Sequence, residues 1–392
     1  MAELAFFNVR YGYLEGICRG LRSGFLTQDD YRRLAMSETM EDLRSALEDT
    51  DYGPFLQNEP LPLAATTIDA RLRERMAAEF RYMHAQADEE LSKFMNFILL
   101  EKMIDNVIGL IQGTRNNRSA EEMIARLDPM GWFPGIKHVA SLNLGASHQE
   151  LYRTLLLDSP VGPYFETFLE TMQAEGEGRT MTTVVSIFGE VDTEILRNIL
   201  KKAWIEEFYD YVLTLSGTTR EVMEHILKSE ADFRVLSVTL NSINTSLGDS
   251  TQLHDRNSLY PSLGYLYPQG TERIRRAWND ATLQSALQPM KKYSNLYEQC
   301  KAFYVRNEMG ELNTIGETSR YKSLEDLLFA EIVSLCEDTF ERQFHFGIFY
   351  AWVKLKEQEI RNIIWVSEMV NYILMQQKDY VDNIVPIFAR RV

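Results

Sequence analysis

The sequence predicts an all-α protein, and three observations predict it. Apolar residues recur at three- and four-residue steps over long stretches. Clusters of Gly, Pro, Asn and Asp cut those stretches at intervals suited to helices. Runs rich in β-branched residues are short, as at Thr182–Ile187 and Val235–Thr239. The second sits in a helical frame, and the first reads as a strand or a loop.

Taken in order, the strongest pattern runs from Ile68 to Ile111 through Leu72, Met76, Phe80, Met83, Leu91, Met95, Ile98, Ile104 and Val107. A break near Gln86–Glu90 predicts two helices there. Leu127-Asp128-Pro129 predicts a helix stop, because the residue before proline is pushed out of the α region. Glu194–Leu215 and Glu221–Leu240 predict two further helices. Glu341–Gln376 holds one glycine and no proline. Unbroken, it would run about 50 Å at ~1.5 Å per residue. Turns or loops are expected at 53–54, 58–62, 113–119, 128–135, 159–163, 173–179, 248–261, 268–270 and 308–319.

An apolar ruler repeats three times. Phe25, Leu34, Leu43 and Leu47 share their spacing with Phe133, Leu142, Leu151 and Leu155, and with Tyr265, Ile274, Leu283 and Leu287. Each set precedes a long helical region containing a glutamate with apolar residues three and six positions on: Glu101, Glu230 and Glu357. The order of elements repeats with the spacing. The expectation is three related helical units, 1–125, 126–248 and 249–392, the second with an acidic loop near 173–190.

Composition bounds the function. The 392 residues include 41 Lys and Arg against 57 Asp and Glu, a formal net charge of −16. That balance argues against nucleic acid as the main partner, since phosphate binding needs concentrated base. The N-terminus lacks the basic and apolar regions of a secretory signal. No apolar run approaches the ~18 residues of a membrane span. Cys18, Cys300 and Cys336 are scattered and odd in number, which fits free thiols in a reducing compartment, with one disulfide through Cys18 as the alternative. No phosphate loop, dinucleotide fingerprint, HExxH, CxxC, EF-hand or GxSxG motif occurs, and the six histidines do not pair at metal-ligand spacing. No catalytic, cofactor or metal residue is expected.

Two groups of residues stand out instead. Aromatics and arginines gather near the N-terminus (Phe6, Arg10, Tyr11, Tyr13, Arg19, Arg22), and aromatics again at Phe344, Phe346, Phe349 and Trp352. Either group could be core or a protein contact surface, since interfaces favour the same residue types. Glu101, Glu230, Lys356, Glu357 and Arg361 lie within predicted helices. They are exposed charges beside a stripe, or they brace neighbouring helices, or they line a cavity.

Longer stretches carry a resemblance. GYLEG (12–16), SGFLTQDDY (23–31), ETMEDLRSALEDTDYGPFL (38–56), MIDNVIGLIQGT (103–114), LYPQG (266–270) and QFHFGIFYAWVKLKEQEIRNIIWVSEM (343–369) occur in the order found in the AC39 family. The chain resembles the d subunits of the membrane (Vo) sector of vacuolar-type proton-pumping ATPases and their prokaryotic C-type relatives. The resemblance implies a funnel-like body of three helical units without catalytic residues or cofactors. It implies a place on the cytoplasmic face of acidic organelle membranes, between the proteolipid c-ring and the central stalk of D and F subunits. As a rotor adaptor there, the chain would couple ATP hydrolysis to proton movement. The stretch after Tyr164 is longer than usual in the family, and the tail extends past the usual PIF ending. The alternatives are a non-rotating scaffold of a membrane-associated complex and a helical enzyme with an unrecognised site.

Overall fold

Helix starts are written into the sequence as side chains that satisfy the first free backbone N–H groups. The computed structural model describes residues 2–60, 62–116, 118–137, 159–166, 193–243, 256–309, 322–371 and 384–388. Within them the chain is all-α, with no strand among the described residues. The α-helices are α1 (Ala2–Gly20), α2 (Gln28–Ala35), α3 (Met40–Glu48), α4 (Gly53–Leu56), α5 (Ala65–His84), α6 (Glu89–Arg115), α7 (Ala120–Ala125), α8 (Thr193–Thr214), α9 (Gly217–Ser242), α10 (Gln269–Arg275), α11 (Asp280–Leu287), α12 (Lys291–Glu308), α13 (Leu324–Glu341) and α14 (Gly347–Asn371). Capping boxes open four of them: Thr27 with Asp30, Thr39 with Asp42, Asn279 with Thr282, and Ser323 with Asp326.

The break at 86–90 falls between α5 and α6, where the Asp88 side chain accepts from Leu91 N–H. The β-branched run at 235–239 lies inside α9. Thr182–Ile187 and the acidic loop lie outside the described residues. The expectation of one helix from Glu341 needs correction. α13 ends at Glu341 and α14 begins at Gly347. Between them Arg342 is extended and Phe344 takes φ 63°, a left-handed conformation that no continuous helix accommodates. Three neighbours hold this corner. Glu15 accepts from Phe344 N–H at 3.0 Å, Arg19 donates to the Phe340 carbonyl at 2.7 Å, and Thr219 Oγ1 accepts from Phe346 N–H at 3.1 Å.

The ruler positions of the first set, Phe25, Leu34, Leu43 and Leu47, are all buried. In the third, Ile274, Leu283 and Leu287 are buried, while Tyr265 is 55% exposed. Of the second set Phe133 is buried, and the other three lie outside the described residues. In both α2–α3 and α10–α11 a short helix stops, a capping box follows, and a second short helix packs beside the first.

Buried apolar side chains form two clusters. The larger joins α1–α8, the first half of α9, the end of α13 and α14. The smaller joins the second half of α9 with α10–α12 and the start of α13. α9 and α13 therefore belong to both. α14 is the hub of the larger cluster, packing against α1, α2, α3, α5, α6, α9 and α13. Its Ile348, Phe349, Tyr350, Ala351, Trp352, Val353 and Leu355 are all fully buried. Each large apolar side chain removed from water in this way contributes about 1.5–3 kcal/mol. The three cysteines are buried free thiols.

The turn before α10 is fixed from below by α9. Asp232, itself fully buried, accepts from Tyr265 N–H at 3.1 Å, Leu266 N–H at 3.0 Å and the Tyr293 hydroxyl. Gly264 has φ +123°, and a Cβ there would stand 2.2 Å from the Asp232 carboxylate. Both the backbone conformation and the close approach require glycine at this position.

Candidate functional site

Three long helices, α6, α9 and α14, each carry one of the repeated glutamates, and the fold brings the charges together. Glu101 on α6 is 5% exposed. It accepts from Lys354 of α14 at 2.8 Å, and Arg234 of α9 and Lys201 of α8 stand 3.7 and 3.9 Å away. Its neighbour Lys102 forms an ion pair with Glu357 of α14. Glu230 on α9, equally buried, takes the Tyr350 hydroxyl of α14 at 2.7–2.8 Å from both oxygens. Lys201 also donates to Asp105 of α6 at 2.8 Å, and the Trp204 indole of α8 donates to the Phe97 carbonyl at 2.7 Å.

These partners set the protonation states. Burial alone would raise the Glu101 carboxyl, but Lys354, Lys102, Lys201 and Arg234 outweigh it and hold it well below the usual carboxylate range. Burial opposes the Lys354 charge, and Glu101, Glu230 and Glu357 more than offset that cost. Lys201 goes the other way. Burial lowers it, and Asp105 and Glu101 restore only part. A buried charge survives only with such partners.

The cluster borders a cavity of about 670 Å³ at the junction of the two apolar cores. Glu101, Lys201, Glu230, Arg234 and Lys354 line one side, and Leu328, Phe329 and Ile332 of α13 supply an apolar wall. Polar and apolar surfaces thus face one space, an arrangement suited to holding helices in register or receiving a polypeptide tip. Among the described residues no group of His, Cys, Asp and Glu is placed to hold a metal ion.

A second polar centre lies deeper in α14. Glu359, fully buried, accepts from Leu26 N–H at 2.6 Å, from Lys356 Nζ at 2.8 Å and from the Tyr52 hydroxyl. Lys356 also donates to Tyr52 at 3.2 Å and sits over the Phe25 ring at 4.3 Å. One turn on, Asn362 exchanges hydrogen bonds with Val385, donating at 2.8 Å and accepting at 3.2 Å. The α14 helix is thereby tied to segments from both ends of the chain.

The sequence-predicted residues divide. Tyr11, Phe346, Phe349 and Trp352 are core side chains rather than exposed surface; Tyr11 packs edge-on to Phe346 at 4.8 Å and donates to Glu90 at 2.8 Å. The contact-surface alternative does not fit these four, because α14 and the corner before it are wrapped by other helices. Phe344 is half-buried at the corner. Phe6 and Tyr13 are exposed, at 59% and 64%. Arg10 is bound to Asp88 and lies 3.8 Å from Glu90, while Arg22 lies 4.2 Å over Phe388 and 3.8 Å from Glu341. Arg19 clasps the 340–344 corner. Lys356 braces α14 internally. Arg361 is exposed, 3.4 Å over the cavity-lining Phe329, and donates to Gln358 at 2.7 Å. Sequence reasoning missed Lys201, Arg234, Lys354 and Glu359. For Arg234 and Lys354 the available signal was a base one turn from the repeated glutamate in the same apolar frame; Lys201 lies on α8, outside those frames, and Glu359 is an acid, so neither carried it.

Buried ion pairs thus tie the long helices together beside a cavity with one charged and one apolar side. The chain belongs to the ATP synthase (C/AC39) subunit family, whose model matches residues 14–378. It is 37% identical over 97% of its length to V-type proton ATPase subunit d of Dictyostelium discoideum, covering 96% of that protein. To the Neurospora crassa protein of the same name it is 36% identical over 97% of its length, covering 99% of that chain. It is 32% identical over 98% of its length to the Saccharomyces cerevisiae V-type proton ATPase subunit d, covering all of it.

Proposed function

We propose that this chain is the non-catalytic rotor adaptor of a V-type proton ATPase, joining the central stalk of D and F subunits to the proteolipid ring. Its place is the cytoplasmic face of an acidic organelle membrane, alongside the complex's other subunits. Near full-length relatedness to subunits of that name supports the assignment. No described helix is long and apolar enough to cross a membrane, so the adaptor would rest on other subunits for its hold on the bilayer.

The observation that carries the mechanical reading is the set of ties from α14 to α6 and α9: Lys354–Glu101, Glu357–Lys102 and Tyr350–Glu230. A torque-transmitting body must not yield between its load points. Close-packed interiors have low compressibility, and buried charge pairs between helices resist sliding because separating them strands a charge in a low dielectric. In this reading three similar units surround the cavity, and the stalk enters on its open side. Exposed Phe6 and Tyr13 on α1 belong to an interface with a neighbouring protein of the complex.

Affinity purification of the tagged chain in gentle detergent tests the assignment. The ring and the D-type stalk subunit should co-purify; recovery of the chain without either would refute it. Arg361→Glu should leave the helical fold intact and reduce stalk recovery several-fold, because this exposed residue stands over the cavity wall. Loss of soluble fold would assign Arg361 to bracing instead.

A further inference from the structure

The chain as a whole carries a net charge of −16, yet one stretch runs the other way. Between Gln269 and Lys292 stand five bases, Arg273, Arg275, Arg276, Lys291 and Lys292, against two acids, Glu272 and Asp280. Both acids are engaged. Glu272 is shared by Arg275 at 3.5 Å and Arg276 at 3.1 Å, and Asp280 faces Lys301 at 3.4 Å. The Arg273 side chain is exposed and has no hydrogen-bond or ion-pair partner among the described residues. Helices α10 and α11 meet so that Gln269, Glu272, Arg273, Arg276, Thr282 and Ser285 line an open groove of about 880 Å³, its one carboxylate being the Glu272 already shared by Arg275 and Arg276. Tyr267 precedes groove-lining Pro268 and is 47% exposed; Trp278 follows groove-lining Ala277 and is 50% exposed.

The groove is held in shape from beneath. Arg256 is fully buried, and no carboxylate faces it among the described residues. Its guanidinium donates to the carbonyls of Arg275 at 2.7 Å and Ala277 at 2.6 Å, and to Ser242 Oγ at 3.1 Å. These carbonyls end α10, where the helix dipole is negative and a cation is favoured. The Asn279–Thr282 capping box fixes the start of α11 on the other side. The arginine-bearing wall therefore needs little ordering to bind, which lowers the entropic cost of association.

We propose that this groove docks an acidic, protruding segment of another polypeptide of the complex, with Arg273 and Arg276 receiving its carboxylates and Trp278 covering an adjacent apolar side chain. Guanidinium forks match carboxylates bidentately. Trp, Tyr and Arg are the residues that dominate binding energy at protein interfaces. The groove is concave, which a flat bilayer surface does not fill, so the chemistry favours a polypeptide over anionic lipid. The inference rests on the preceding section only in seeking the partner within an assembled complex.

The test places a photoreactive benzophenone amino acid at position 278 and irradiates the purified complex. The expected cross-linked peptide comes from another subunit and is rich in Asp and Glu. Its yield should fall at least tenfold in the Arg273→Glu/Arg276→Glu variant and less in the Arg273→Gln/Arg276→Gln variant. Changing the mapped acids to Lys should restore cross-linking to the charge-reversed chain. Cross-links confined to lipid or to a second copy of this chain, no cross-link at all, or a yield insensitive to both double variants would overturn the proposal. Ring and stalk content, measured in the same preparation, reads the rotor assignment separately, since a full complex with a charge-insensitive cross-link counts against the groove alone.

Discussion

Glu101→Ala is expected to lower the stability of the folded chain by about 3–5 kcal/mol, the typical cost of removing one partner from a buried charge cluster. Lys354 loses its 2.8 Å acceptor, and Arg234 and Lys201 lose the nearest common anion. A cavity the size of the lost carboxylate adds a smaller penalty. Denaturant titration with circular dichroism measures the shift in midpoint. The same residue sets a pH dependence. Its folded-state carboxyl lies well below the ordinary value of 4.5. The unfolded chain therefore takes up a proton first as pH falls. The stabilisation is complete above about pH 4.5 and is lost progressively on acidification below it. Glu101→Gln should flatten that acid limb while leaving the neutral baseline lower.

The second large effect is expected at the deeper centre of α14. Lys356→Met leaves Glu359 without its cation in a fully buried site, and Glu359→Leu leaves Lys356 without its anion. Each alone should cost about 3–5 kcal/mol. The double replacement Lys356→Met/Glu359→Leu should cost much less than the two summed, because paired removal strands no charge. Additivity in the same denaturation experiment would mean that the two side chains act independently. Tyr52 and Leu26 N–H would still lack their acceptor in the double variant, so a residual loss of about 1–3 kcal/mol is expected.

Local chemistry made part of this structure legible. The apolar periods at 68–111, 194–215 and 221–240 appear as α5, α6, α8 and α9, and the turn-forming residues at 86–90 separate the first two. The corner at 342–346 was hidden because nothing in FHFG marks a left-handed Phe344. Contacts from Glu15, Arg19 and Thr219, all distant in sequence, hold it. The glutamates at 101, 230 and 357 could be picked out by their shared frame. Their pairing could not, since Lys354 reaches Glu101 across 253 residues. Aromatic content alone could not separate Tyr13, at the surface, from Tyr11, in the core two residues earlier. That distinction depends on which face of α1 meets the corner before α14. The basic groove of α10 and α11 escaped notice because its arginines were submerged in the acidic balance of the whole chain.

In the proposed function this chain turns with the rotor and carries torque as a rigid body. Met36, 79% exposed, offers a site for an engineered cysteine, and the chain's own three thiols are buried and would not compete. The decisive measurement is ATP-driven proton pumping by the complex after a reversible disulfide links Met36→Cys to a cysteine on a stationary subunit. Pumping and coupled hydrolysis should stop with the link formed and return on reduction; pumping that continues at full rate through an intact link would contradict the account.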